Sequence, residues 1–292
     1  MDNNTLLFLL TSELQQAFQT WDRNQPPRTG LHASSVLESD ADFCTRQHVL
    51  AEVFPAERQQ KEQFWRVLAM FANGWSIHKK WQQDLLLPTG MVVPVGWNDD
   101  FYSKMEYELD LTHIDDTTGI HFSPDAIINF AGQTMPVEIK GINHDDFAGC
   151  EELYRKVYRP VGAHDPGAIA FHYEEAQEAR PGLVGATLEE AMARNKSIRS
   201  AVPQLNLYLH LLGLQKGIIL AEDENTQDFM VWIHTFDPAL VEKPLMRALD
   251  VRTWIKLSDL NAGELPARIC KTVNDSRAKR CPFRDACFKE GR

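Results

Sequence analysis

Asp125, Glu138 and Lys140 are spaced so that one hairpin brings them together. SPDAIINF and MPVEIKGI read as two strands joined by the turn AGQT. With Phe130 paired to Met135, Asp125 falls opposite Lys140. Glu138, two residues from Lys140, shares its face, and Ile139 points the other way, into the core. Asp125 and Glu138 are then diagonal neighbours, roughly 7–8 Å apart. Two such carboxylates can close on one divalent cation at about 2.0–2.1 Å per oxygen. Lys140 would stand beside it, able to orient a water or a phosphate oxygen. That set suits phosphodiester hydrolysis, because the metal lowers the pKa of its water and offsets developing negative charge. The plainer reading is a set of solvated charges on an open hairpin face. A register slip of one residue would turn Asp125 away.

The cysteines form a second set. Thiolates hold zinc or iron, and four within tetrahedral reach can hold either. Cys281-x5-Cys287 is compact, and Cys270 lies farther upstream. These three sit in or beside a basic tail. From Lys271 to Arg292 the chain carries a net +4, whereas the whole 292-residue chain carries −11. The acidic body argues against a general nucleic-acid coat but leaves room for a local basic path. Five cysteines are an odd number and do not read as a secreted disulfide framework. The opening MDNNTLLFLLTSEL lacks a basic n-region and a cleavage site, and no apolar run reaches the ~20 residues of a membrane span. A cytoplasmic protein is expected, with no membrane partner.

Several elements must position these residues. Residues 4–21 carry Leu6, Leu7, Leu10, Leu14 and Phe18 at helical spacing. His32–Ala51 reads as a helix opening at Ser34 or Ser35. Residues 57–82 read as a helix or helix pair with a break at Gly74. From 104, KMEYELDLTHI alternates like a strand, and after the hairpin a polar stretch runs from about 145 to 200. SAVPQLNLYLHLLGL is an apolar-faced helix, GIILAED and DFMVWIHTF form a second hairpin, and PALVEKPLMRALDVRTWIKLSDL is helical. The order predicts a mixed α/β fold.

Asp125, followed thirteen positions later by Glu138-Ile139-Lys140, resembles the signature of the PD-(D/E)XK nucleases. The chain is most similar to their RecB-like branch, which includes CRISPR-associated and phage-encoded iron–sulfur exonucleases. Four further segments match that branch in order. LHASSVLESDADFCTRQHVL places Cys44 just ahead of Arg46, and GWSIHKKWQ resembles the histidine helix, with His78. PQLNLYLHLLGL resembles the Q-x-x-x-Y helix, with Gln204 and Tyr208. Cys270, Cys281 and Cys287 resemble the late cluster ligands, although the spacing from Cys270 to Cys281 is wider than usual.

The resemblance implies a restriction-endonuclease-like core sheet flanked by helices. It implies an N-terminal helical region over 1–103, a nuclease core over 104–265 with an insertion at about 145–200, and a cluster-closing tail over 266–292. His78, Asp125, Glu138 and the Ile139 carbonyl would hold Mg²⁺ or Mn²⁺. Lys140, Gln204 and Tyr208 would complete the catalytic set. Cys44, Cys270, Cys281 and Cys287 would hold a 4Fe-4S cluster, with zinc as the alternative, and Cys150 has no assigned role. The insertion offers Arg155, Lys156, Arg159, Arg194, Lys196 and Arg199, with Tyr154, Tyr158, Phe171 and Tyr173 as base-stacking candidates. The implied activity is a DNA exonuclease acting at duplex ends or on single strands. Its setting would be recombination, repair or phage DNA metabolism, with a recombination or helicase protein as a possible partner. The rival readings are a non-catalytic DNA-end or protein-binding module, and a hydrolase of nucleotides or small phosphates.

Overall fold

The computed structural model describes residues 12–13, 16–17, 20, 30–59, 65–92, 113–147, 186–260 and 264–289. Most of the expected 4–21 helix, residues 104–112, Cys150 and the insertion up to residue 185 lie outside the described residues. The described elements make a mixed α/β protein with two sheets. The chain divides into two compact units. One gathers residues 1–76, 112–122 and 242–292; the other gathers 77–111 and 123–241.

The second unit carries a four-stranded sheet. Its strands are β4 (Ala126–Phe130), β5 (Gln133–Ile142), β6 (Lys216–Asp223) and β7 (Phe229–Thr235), side by side in that order. β4 and β5 are antiparallel, β5 and β6 parallel, and β6 and β7 antiparallel. Two helices, α4 (Ala186–Arg194) and α5 (Lys196–Leu212), lie in the crossover between β5 and β6. α5 begins on Asn195, whose side chain accepts from Ile198 N–H at 3.0 Å. It ends on Gly213, which takes the left-handed conformation at φ 66°, where a residue without Cβ is unstrained.

Period-two alternation sorts the sheet's two faces. One face carries Ile219, Ala221, Met230 and Trp232 against Ile198, Ala201, Val202 and Leu205 of α5. The other carries Ala126, Ile128, Met135, Val137, Ile139 and Leu220 against Ile77 and Trp81. β5 is therefore covered on both sides, and its ladder with β6 begins at Val137. Pro136, which lacks an N–H, sits one residue before that ladder starts.

The hairpin register differs from the sequence expectation. Phe130 pairs with Gln133, and Ala126 pairs with Val137. The turn is the two residues Ala131 and Gly132, at φ 50° and 74°, rather than the four of AGQT. This is the left-handed pair that matches strand twist in tight hairpins. The shift is two residues, so every side chain keeps its face.

The first unit holds a small sheet of β1 (Leu31–His32), β3 (Ile120–Phe122) and β2 (His113–Ile114), with β3 in the middle. Its helices are α1 (Ala33–Val36), α2 (Thr45–Val53), α6 (Glu242–Leu260), α7 (Ser276–Arg280) and α8 (Arg284–Phe288). The single helix expected over 32–51 is thus two helices. Ser39 and Asp42 form a local turn between them, the hydroxyl donating to the carboxylate at 2.6 Å. α3 (Trp65–Lys79) runs through Gly74 without the expected break and continues as a wider π-helical segment over Lys80–Leu86. One helical glycine costs only about 1 kcal/mol and need not end a helix.

His48 gives the first unit a pH dependence. It is buried on α2, stacked on Phe43 with ring centroids 5.2 Å apart. Its Nε2 has no hydrogen-bond partner among the described residues. Burial, reinforced by the Arg277 charge, lowers its pKa to about 4. Between pH 6.5 and 4 the unfolded chain takes up a proton that the folded protein refuses. Stability is therefore fully present above pH 6.5 and falls as pH drops, by about 3 kcal/mol in total. The urea midpoint should decline across that window, and more steeply in the parent than in His48→Phe. Equal slopes would refute the assignment.

Candidate functional site

Asp125 immediately precedes the first rung of the β4–β5 ladder, and its N–H donates to Val137 O at 3.1 Å. Its carboxylate is held from two sides. Oδ2 accepts from Ile139 N–H at 2.6 Å, and Oδ1 lies 2.9 Å from His78 Nδ1. Gln82, one turn beyond His78, donates from Nε2 to Asp125 O at 2.7 Å. His78 and Gln82 therefore clamp one residue from a single stretch of helix. Sequence reading missed Gln82; its signal was the i, i+4 spacing from His78.

Glu138 is 1% exposed in the central strand β5. Lys140, two residues on and on the same face, reaches its Oε1 at 2.5 Å. Oε2 has no hydrogen-bond partner among the described residues. A buried carboxylate with one free oxygen is costly in a strand that could have carried valine. Burial raises the Glu138 pKa, Lys140 opposes the rise, and the Asp125 charge adds to it. Burial disfavours charged Lys140, but Glu138 and Asp125 outweigh it, so its pKa rises. At His78, burial is likewise outweighed by the hydrogen bond and charge of Asp125. These four side chains form one electrostatic unit. Ile139 packs its side chain in the core and contributes its backbone N–H.

On the opposite sheet face Glu222 accepts from Lys80 Nζ at 2.6 Å and from Trp81 Nε1. This trio, with Glu222 and Trp81 buried and Lys80 half-buried, ties the π-helical segment to β6, just beyond His78. It joins residues more than 140 positions apart in the chain, which spacing alone could not reveal. Close approach supports the same region: a Cβ on Gly141 would lie 2.7 Å from Ile77 Cδ1.

Gln204 and Tyr208 are one turn apart on α5, and Gln204 Nε2 donates to Tyr208 Oη at 2.7 Å. Tyr208 is buried and Gln204 half-buried. α5 covers the face bearing Ile219 and Ala221, the β6 partners of Glu138 and Lys140. The pair thus shares a sheet face with the carboxylate and lysine. Of the insertion's cations, Arg199 Nε donates to Met192 O at 3.0 Å, while Arg194 closes α4 and Lys196 opens α5.

Within the other unit, Cys44, Cys270, Cys281 and Cys287 line one pocket, together with Arg46, Arg268, Arg277 and Arg284. All four thiols are free. Cys44 caps the start of α2, while Cys281 and Cys287 flank and end the short α8. Leu50, Phe283 and Ala286 pack beneath them. Burial pushes the Cys44, Cys270 and Cys281 thiols above their ordinary pKa, and neighbouring cysteines add to the rise at each. The wide Cys270–Cys281 spacing is spanned by a turn in which Asp275 accepts from the backbone N–H of Lys271 and Thr272, and by α7.

Among the described residues no group of three or more His, Cys, Asp or Glu side chains stands in ready metal-binding geometry. In the acidic site three of the four carboxylate oxygens face His78, Ile139 N–H and Lys140, and Glu138 Oε2 faces none of them.

No protein-family model matches the chain. No curated protein matches it either. Among solved structures it is similar to the alkaline exonuclease LHK-Exo from Laribacter hongkongensis. The TM-score is 0.40 with 13% identity, covering 86% of this chain and 97% of that one. Against LHK-Exo in complex with dAMP the TM-score is 0.38 with 14% identity, covering 86% and 98%. Among the described residues no helix is long and apolar enough to cross a membrane.

Proposed function

We propose that the protein is a metal-dependent DNA exonuclease of the PD-(D/E)XK class. The observation that carries this reading is the Asp125–Glu138–Lys140–His78 unit gathered around buried Glu138, whose Oε2 lacks any hydrogen-bond partner among the described residues. The order of motifs along the chain supports it as well. A divalent cation fits this donor set, because it would satisfy the orphaned oxygen and reverse the penalty that raises the Glu138 pKa. Asp125, Glu138, His78 and the Ile139 carbonyl would hold Mg²⁺ or Mn²⁺; the nitrogen donor leans toward Mn²⁺.

The bound metal would supply an acidified water and charge stabilisation at the phosphate. The chain's own residues prepare the rest. Gln82 and Ile139 N–H fix the position of Asp125. Lys140 stays protonated and directs positive charge toward the scissile phosphate. Gln204 and Tyr208 order each other and offer an amide and a hydroxyl to the attacking water or the DNA backbone. Ends or single strands of DNA are the proposed substrate, and recombination, repair or phage DNA metabolism the proposed setting.

The four-cysteine pocket is proposed as a structural metal centre, a 4Fe-4S cluster or a zinc site. Its support is that all four cysteines singled out by sequence line one pocket.

The deciding experiment is digestion of end-labelled linear DNA and of a closed circle, with Mg²⁺, Mn²⁺ or EDTA. Metal-dependent shortening of the linear substrate alone is expected. Binding without cleavage under every condition would sink the enzymatic reading in favour of an end-binding module. Turnover of mononucleotides without DNA would replace it with a small-phosphate hydrolase.

A further inference from the structure

The four-thiol pocket contains a buried cation with little to neutralise it. Arg46 is 4% exposed. Its Nη1 donates to Pro266 O at 2.7 Å. Nε and Nη2 have no hydrogen-bond partner among the described residues. A guanidinium cannot shed its charge, and its donors form a rigid fork. Burying it with two nitrogens unsatisfied is unfavourable unless an anion comes to meet it. Arg46 lines the same pocket as Cys44, Cys270, Cys281 and Cys287. Arg277, in that pocket too, is differently placed: its two terminal nitrogens donate to the carbonyls of Ala41 and Asp42.

Four thiolates on one Zn²⁺, or on a 4Fe-4S core of charge +2, leave the same net charge of −2. We propose that Arg46 is the charge partner of such a centre, with Nε–H and Nη2–H donating to the cysteine sulfurs. It is a positioning residue that acts through the sulfurs. The inference rests on the four-cysteine centre proposed above, and it explains a residue that the nuclease chemistry does not use. Both candidate centres present the same negatively charged sulfur surface, so metal analysis tells them apart and the role of Arg46 holds for either.

The test compares full-length parent, Arg46→Gln and Arg46→Lys, purified anaerobically. Arg46→Gln keeps most of the bulk and removes the charge. Bound metal should pass to a competing chelator, pyridylazoresorcinol for zinc or bathophenanthroline for iron, about tenfold or more faster than from the parent. With iron bound, the reduction potential of Arg46→Gln should move negative, because the reduced centre loses a neighbouring cation. After stripping under reducing conditions the order of stability should invert. Stripped Arg46→Gln should melt at or above stripped parent, which still buries an unanswered charge. A role confined to the Pro266 bond predicts the same loss of Tm with and without metal, and an unchanged release rate; that pattern overturns the proposal. If Arg46→Gln does not fold, Arg46→Lys carries the test. It keeps the charge but loses the fork, so release should still be several-fold faster, and release at the parent rate overturns the proposal. A parent that contains neither iron nor zinc overturns the four-cysteine centre itself. A parent that contains metal and a variant that releases it equally slowly overturn only the role of Arg46.

Discussion

Glu138→Gln should stop cleavage without weakening the fold. The glutamine keeps the shape and still offers an oxygen to Lys140. It removes the charge that β5 buries at 1% exposure. Burial and the Asp125 charge already push this carboxylate toward its neutral form. In EDTA the variant should therefore melt no lower than the parent. Cleavage should fall by at least about 10²–10³-fold, the scale of losing one preorganised electrostatic element. Lys140→Met makes the contrast. It should abolish cleavage too, but it leaves Glu138 buried beside Asp125 without the ammonium that pairs with it, which costs a few kcal/mol. Two variants, both inactive and opposite in stability, separate a site built for charge from an ordinary ion pair. Glu138→Gln that cuts at the parent rate, or that unfolds in EDTA, would remove Glu138 from the site.

Loss of any one pocket cysteine should have the largest effect on stability. Where a metal clasps distant chain segments, its binding free energy is part of the folding free energy, on the order of 10 kcal/mol. Cys44→Ala, Cys270→Ala, Cys281→Ala and Cys287→Ala should each lose stoichiometric metal and show a sharp fall in Tm or in soluble yield. The Cys44→Ala/Cys287→Ala double variant should lose no more than either single, because one missing ligand already empties the site. Cys150→Ala serves as the comparison and should keep its metal. Elemental analysis and melting curves on the six proteins decide the matter. Strictly additive losses, or full metal in Cys270→Ala, would disprove the four-ligand arrangement.

The site was legible where the physics is local. Period-two alternation put Glu138 and Lys140 on one face and Ile139 in the core, and that assignment survived a register different by two residues. The register itself was not legible. Ala131 adopts φ 50°, a conformation that alanine seldom takes, so AGQT looked like a longer turn. Cys281 and Cys287 were readable as a compact pair, whereas the wider spacing to Cys270 gave no hint of the turn and of α7 that span it. Least readable were the supports. The Glu222–Lys80–Trp81 trio joins segments more than 140 positions apart, which no spacing rule encodes, and Gln82 showed only its i, i+4 spacing from His78. The helix expected over 32–51 failed for a local reason: Ser39 and Asp42 bond each other in a turn that separates two shorter helices.

The first unit is assembled from three separate stretches of chain, with most of the second unit encoded between them. This has a temporal consequence. During synthesis, at about 5–20 residues per second, tens of seconds separate the emergence of Cys44 from that of Cys287. Over the last part of that interval, once Thr235 has been added, the second unit has its whole sheet available, while Cys44 still waits for Cys270, Cys281 and Cys287. The newborn chain therefore passes through a stage with a finished sheet and an unprotected thiol, and the order of translation makes the cysteine pocket close after that sheet.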